Sequence, residues 1–141
     1  MAETKEDLMI LRHSCSHMLA AAVKKLFPDA KLGIGPAIED GFYYDFDVKN
    51  PFTPEDLKKI EDEMNQIIRK NVDFVKKDVS KTEAKKLFKN EPYKLELIEE
   101  LPGITVSTYT SGDFTDLCIG PHIKNSKSLK AFKLTKIAGA Y

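Results

Sequence analysis

Two short stretches of this sequence hold residues whose types and spacing could do chemistry. "RHSCSHM" at 12–18 places His13 and His17 four residues apart, and "DLCIGPH" at 116–122 places Cys118 and His122 four apart. These stretches contain all three histidines of the chain; its two cysteines are Cys15 and Cys118. Imidazole and thiolate suit zinc, and the four side chains could form a site of the Cys-His₃ kind. Four protein ligands would close the metal's shell and leave no position for water, which makes such a site structural unless a ligand is displaced. The same groups could instead act without metal, positioning water and polarising an ester. A plainer reading also fits: two polar side chains on one helix face and a cysteine that merely packs. Asp116 enlarges the set. In a strand it points to the same side as Cys118, where a carboxylate can orient an imidazole.

The elements that must position these groups are legible from pattern. Thr4 can cap a first helix with Glu6 and Asp7 in its first turn, and Pro28 marks its end. Leu8, Leu11, Cys15, Leu19, Ala22, Val23 and Leu26 form an apolar stripe at helical spacing. His13 and His17 lie almost opposite, beside Ile10, Ala20 and Ala21. A helix apolar nearly all round is central and covered on both sides, so the histidines should face a partly enclosed space. Cys15 points into the leucine stripe and reads as core. "EDG" at 39–41 predicts a hairpin turn, and the alternation of Phe42, Tyr44, Phe46 and Val48 with Tyr43, Asp45 and Asp47 predicts a strand.

Thr53 followed by Pro54 opens a second helix, with Leu57, Ile60, Met64 and Ile67 as its core stripe. "VDFVKKDV" at 72–79 reads as a strand, and "SKTEAKKLF" opens a third helix with a capping box from Ser80 to Glu83. "ITVSTYT", "FTDLCI" and "KAFKLTKIAGAY" read as further strands. Three helices among short strands without regular βαβ alternation predict an α+β fold. The expected form is a mainly antiparallel curved sheet wrapped around a long central helix, with further covering helices.

Totals narrow the classes. The 141 residues carry 22 basic and 22 acidic side chains, with 42% hydrophobic and 31% charged residues. That is an ordinary soluble composition, and a net charge of zero does not signal an extended duplex-binding surface. Two cysteines are too few for a disulfide framework, and no run approaches a membrane span or a signal peptide. A reducing, cytoplasmic setting is expected. Nothing divides the chain, so residues 1–141 are read as one domain. The abrupt ending "KIAGAY" suggests a piece of something longer.

"LRHSCSHMLAAAVKKLFPDAKLGIGPAIEDGFYYDFD", "PFTPEDLKKIE", "EPYKLELIEE", "DLCIGPHI" and "KAFKLTKIAGAY" resemble, in that order, the editing domain of bacterial-type threonyl-tRNA synthetases. The likeness spans residues 11–141. Through the two histidine motifs it extends, more distantly, to alanyl-tRNA synthetase and to free-standing alanyl-tRNA editing proteins. The resemblance implies hydrolysis of serine wrongly esterified to threonine tRNA, as the proofreading part of a threonine–tRNA ligase. One missing methyl contact is worth only about 1–3 kcal/mol, so a synthetic site cannot reject serine well enough and a second sieve is needed.

The resemblance also implies roles. Lys94 in "PYK" and His122 activate or position water. His13, His17, Asp116 and Cys118 shape the pocket and hold the seryl group and ribose. Tyr44, the second tyrosine of "GFYYD", orients substrate. Apart from the resemblance, the flexibility of the "GIGP" turn at 33–36 lets it, with Gly35, offer backbone groups to the terminal adenosine. A lysine base would need a pKa depressed by burial or cationic neighbours. Metal-free hydrolysis is expected, with zinc at His13, His17, Cys118 and His122 as the alternative. The implied partners are the serine-bearing 3′ end of tRNA(Thr) and the other domains of a synthetase, with no membrane. Two other readings remain open: a free-standing editor of another aminoacyl-tRNA, and a non-catalytic tRNA-docking or metal-binding module. Separately, Lys124, Lys127, Lys130, Lys133 and Lys136 recur every third residue in a stretch without acidic residues. They are expected either to help seat a tRNA acceptor end or to form a solvated edge.

Overall fold

A computed structural model describes residues 4–135 and 137. The first helix, α1 (Lys5–Leu26), begins as its sequence predicts. The Thr4 hydroxyl accepts from Asp7 N, and Asp7 returns a bond to Thr4 N. Residues 14–23 are buried without interruption, so α1 is covered on all sides along its middle. Cys15 is in the core, as expected. The second helix, α2 (Pro54–Arg69), starts at the predicted cap Thr53 and packs along α1. Met18, Val23, Ile60 and Met64 are almost wholly buried where the two helices meet, and each is worth about 1.5–3 kcal/mol of hydrophobic burial. The stripe of α2 is rotated slightly from expectation: Ile68 is more deeply buried than Ile67, and Glu63 is buried against Lys25 at 3.1 Å.

Strand pairing is antiparallel throughout the described ladders, which bears out the α+β class. The single curved sheet is not what those residues form. Three separate ladders appear instead. β1 (Lys31–Leu32) pairs with β4 (Phe46–Asp47), and β2 (Ala37–Ile38) pairs with β3 (Gly41–Phe42) across the predicted hairpin turn. β5 (Val75–Ser80), β6 (Thr105–Ser111) and β7 (Phe114–Leu117) form the third in that order. The strand expected over 42–48 is therefore broken in the middle. Its facing segment, 33–36, contains two glycines and a proline, and Pro36 has no N–H to give. Asp45 still exchanges backbone bonds with Gly33 and Ile34 at 2.8 Å, so the segment stays in place without a continuous ladder.

α3 (Lys81–Leu87) has its predicted cap, Ser80 accepting from Glu83 N, but the reciprocal half of the capping box is absent. A fourth helix, α4 (Pro92–Glu100), was not expected. Its Ile98 joins Val79, Ala84, Phe88 and Val106 in a second cluster between α3, α4 and the three-stranded sheet. Lys94 lies one turn before Ile98 on the same face and turns inward with it. The N-terminal end of α4 is tethered by Glu91, which accepts from Leu32 N at 2.8 Å and pairs with Lys24 of α1 at 2.8 Å. Of the last predicted strand, residues 130–135 and 137 form none; Lys136 and residues 138–141 lie outside the described residues. Lys124, Lys127, Lys130 and Lys133 are exposed, and Lys133 stands 3.5 Å from Glu61. No helix among the described residues is long and apolar enough to cross a membrane.

Candidate active site

One pocket of about 270 Å³ receives every residue singled out from the sequence: His13, His17, Gly35, Tyr44, Lys94, Asp116, Cys118 and His122. Ser16, Ile34, Leu97 and Ile119 also line it. Five separate parts of the chain contribute. α1 brings the histidine pair, the 33–36 turn brings Gly35, and the interrupted segment 43–45 brings Tyr44. α4 brings Lys94. β7 brings Asp116, and its continuation brings Cys118 and His122. Cys118 N still bonds to Ser107 O at 3.0 Å, so the strand pairing persists one residue beyond β7 and Asp116 and Cys118 reach the same pocket. Gly120 then turns the chain at φ +86, a conformation open to glycine, and returns His122 over α1.

The floor is an ion pair taken out of water. Lys94 Nζ lies 2.9 Å from Asp116 Oδ1, with side chains only 3% and 7% exposed. The other carboxylate oxygen accepts from the Tyr44 hydroxyl at 2.7 Å, and Leu117 N donates to Oδ1 at 2.7 Å. The ammonium also stands 5.3 Å from the Tyr44 ring centre. Three donors thus meet the carboxylate, and added hydrogen bonds of this kind help a buried pair to be tolerated. Burial and the neighbouring Asp116 push the Tyr44 phenol well above its ordinary range, so Tyr44 is a fixed donor. The partner of Lys94 at the pocket floor is a carboxylate, and the lysine nitrogen is placed to donate to it.

The wall is a cluster of imidazoles. The His13 and His122 ring centres are 4.4 Å apart, and those of His17 and His122 are 5.3 Å apart. Burial lowers His13 below its usual value. Burial, with the neighbouring His13 and Lys94, brings His17 down to about 3. Burial and the other two histidines bring His122 down to about 3 as well. Burial raises the Cys118 thiol above its ordinary value. At neutral pH the wall therefore consists of uncharged rings and a thiol. Cys118 Sγ sits 3.5 Å from His13 Nε2 and 3.4 Å from His122 Nε2, and it accepts from Gly120 N. His13, Cys118 and His122 can bring one ligand atom each within 4.8 Å of one another. His17, the fourth residue of the alternative zinc set, is not grouped with them; its Nε2 is bonded to the Ser111 hydroxyl at 3.1 Å, and its Nδ1 is buried without a hydrogen-bond partner.

Ser14, Ser16 and Ser111 are the polar residues that sequence reasoning missed. Ser16 donates to Gly35 O at 2.5 Å, and Ser14 contacts His122 Nδ1 at 3.1 Å. A signal existed: a serine on a helix covered all round must find a partner.

Two buried neutral histidines make stability depend on acid. Unfolded, each takes up a proton near 6.5; folded, His17 and His122 resist until about 3. Between those values the unfolded chain binds more protons. Their contribution is complete above pH 6.5 and is lost as pH falls toward 3. Urea unfolding is expected to show a lower midpoint at pH 5 than at pH 7.5, with a smaller difference in His122→Gln. A difference of equal size in the variant would contradict the assignment.

A family model described as "Threonyl and Alanyl tRNA synthetase second additional domain" matches residues 106–140. The chain is 56% identical over 135 residues to the threonine–tRNA ligase of Dehalococcoides mccartyi, covering 96% of this chain and 23% of that protein. It is 58% identical over 133 residues to the corresponding ligase of Acetivibrio thermocellus, covering 92% and 21%. Against that of Citrifermentans bemidjiense it is 55% identical over 141 residues, covering 99% and 22%. The chain thus spans between a fifth and a quarter of the length of these relatives.

Proposed function

We propose that this chain, whose residues 106–140 match the model of second additional domains of threonyl and alanyl tRNA synthetases and which is 56% identical over 135 residues to part of a threonine–tRNA ligase, is a proofreading deacylase. Its substrate in this reading is tRNA(Thr) mischarged with serine, and the bond it cleaves is the seryl ester at the terminal adenosine. The observation that carries the reading is the buried ion pair between Lys94 and Asp116 on the floor of a pocket walled by neutral histidines.

Ester hydrolysis needs a water aimed at the carbonyl carbon and donors for the oxygen that becomes negative. His122, neutral down to about pH 3, offers a ring nitrogen that can accept from the attacking water. The Lys94 ammonium, fixed by Asp116, donates to the developing oxyanion. The water's oxygen adds to the carbonyl carbon, the bond to the ribose oxygen breaks, and the water's proton ends on that ribose oxygen. His13, His17 and Cys118 bound the seryl group, and Tyr44 and Gly35 fix the opposite wall. Exposed Lys124, Lys127 and Lys130 offer charge to backbone phosphates of the incoming end.

No step in this route calls on a metal. If His13, Cys118 and His122 did hold zinc, the ion would serve as a Lewis acid at the same carbonyl. The deciding assay offers the chain tRNA(Thr) charged with serine or with threonine, each with and without a chelator. Release of serine that survives chelation supports the proposal. Binding of tRNA without release of either amino acid points to a docking module and overturns it.

A further inference from the structure

We infer that Ser14 is a positioning residue for His122, fixing the ring in the tautomer that carries its proton on Nδ1 and turns the Nε2 lone pair toward the pocket. Ser14 is fully buried on α1, and its hydroxyl oxygen has three neighbours. It lies 2.8 Å from Ile10 O, 3.0 Å from Ile123 N and 3.1 Å from His122 Nδ1. A hydroxyl has one proton to give and two lone pairs with which to accept. Ile10 O can only accept, and at 2.8 Å one turn back it takes the hydroxyl proton in the usual back-bond of a helical serine. Ile123 N can only donate. The remaining lone pair faces His122 Nδ1, which must therefore carry the hydrogen.

A neutral ring with its proton on Nδ1 has none on Nε2. That nitrogen stands 3.4 Å from Cys118 Sγ at the pocket wall. The same hydroxyl holds both the ring and the backbone just after it, since Ile123 N is bonded to it as well. His122 comes from a turn containing Gly120 and Pro121, and Ser14 ties the ring end of that turn to the central helix. Free histidine favours the other tautomer, with the proton on Nε2. Without Ser14, the group proposed to accept from water would more often present a hydrogen instead.

The inference rests on the deacylase reading for its consequence, but its test does not. Ring-nitrogen shifts of ¹⁵N-labelled protein at pH 7, assigned with His13→Gln and His17→Gln, are expected to show His122 protonated at Nδ1 and bare at Nε2. In Ser14→Ala the pattern is expected to move toward Nε2–H, with kcat for seryl ester release falling about tenfold to a hundredfold at nearly constant KM. Ser14→Thr, which keeps the hydroxyl, should restore both. A wild-type spectrum with the proton on Nε2 overturns the inference, even if Ser14→Ala fails to fold. Unchanged nitrogens and rate in a folded Ser14→Ala overturn it too. The expected nitrogen pattern in a chain that releases no serine would instead count against the deacylase reading and leave the tautomer assignment standing.

Discussion

Lys94→Met is expected to lower seryl ester release by about a hundredfold to a thousandfold, the usual effect of removing a donor that meets a developing oxyanion. It should also lower stability by about 3–5 kcal/mol, because the Asp116 carboxylate, its side chain only 7% exposed, would lose its cationic partner. The two effects can be separated. Lys94→Met combined with Asp116→Asn removes both charges and leaves the Tyr44 hydroxyl and Leu117 N facing a neutral carbonyl or amide. The double variant is expected to regain most of the lost stability, read from urea unfolding, and none of the activity. If the single variant unfolds at the wild-type midpoint, the ion pair is not the buried anchor described above. If it keeps wild-type rates, Lys94 has no part in the chemistry.

Gly35→Ala is the second change expected to have a large effect, through shape alone. A Cβ built at residue 35 would overlap Tyr44 Cδ2 and stand 2.8 Å from Tyr44 Cε2 and 2.9 Å from Ser16 Oγ. Neither is the free end of a flexible chain: the ring is stacked on Phe46 at 4.8 Å and its hydroxyl is bonded to Asp116. The ring must move, and with it the bond that orients the carboxylate. Overpacking of this kind costs about 1–3 kcal/mol, and a misplacement near 1 Å can lower a rate about a hundredfold. Gly41→Ala is the control, since a Cβ there meets nothing within 4 Å. It is expected to stay within about 0.5 kcal/mol of wild type and to retain activity. Equal behaviour of the two alanines would show that contact between Gly35 and Tyr44 does not set the pocket.

Much of this arrangement could be read from residue order because its parts are local. Thr4 and Thr53 announce their helices through capping chemistry that needs only three further residues. The all-round apolar character of α1 correctly placed His13 and His17 in an enclosed space. The alternation around Asp116 and Cys118 correctly aimed both at one side. What stayed hidden depends on partners distant in the chain. α4 has no side-chain cap at Glu91, since that carboxylate is spent on Leu32 N and Lys24. Lys94 is named by the resemblance alone; its burial depends on Asp116, 22 positions away. The split of the strand over 42–48 reflects the glycines and proline of the segment facing it, not its own alternation. The bond between His17 Nε2 and Ser111, on the third ladder, joins residues 94 positions apart. No local pattern carries that information.

The account's central claim is that the pocket is a hydrolytic sieve for serine. Single-turnover deacylation of tRNA(Thr) charged with serine, measured beside the same tRNA charged with threonine, tests it most directly. The account predicts that the chain releases serine at least about a hundredfold faster than threonine, and that Lys94→Met abolishes the difference. Hydrolysis of neither ester above the buffer rate, or of both at equal rates, would contradict it.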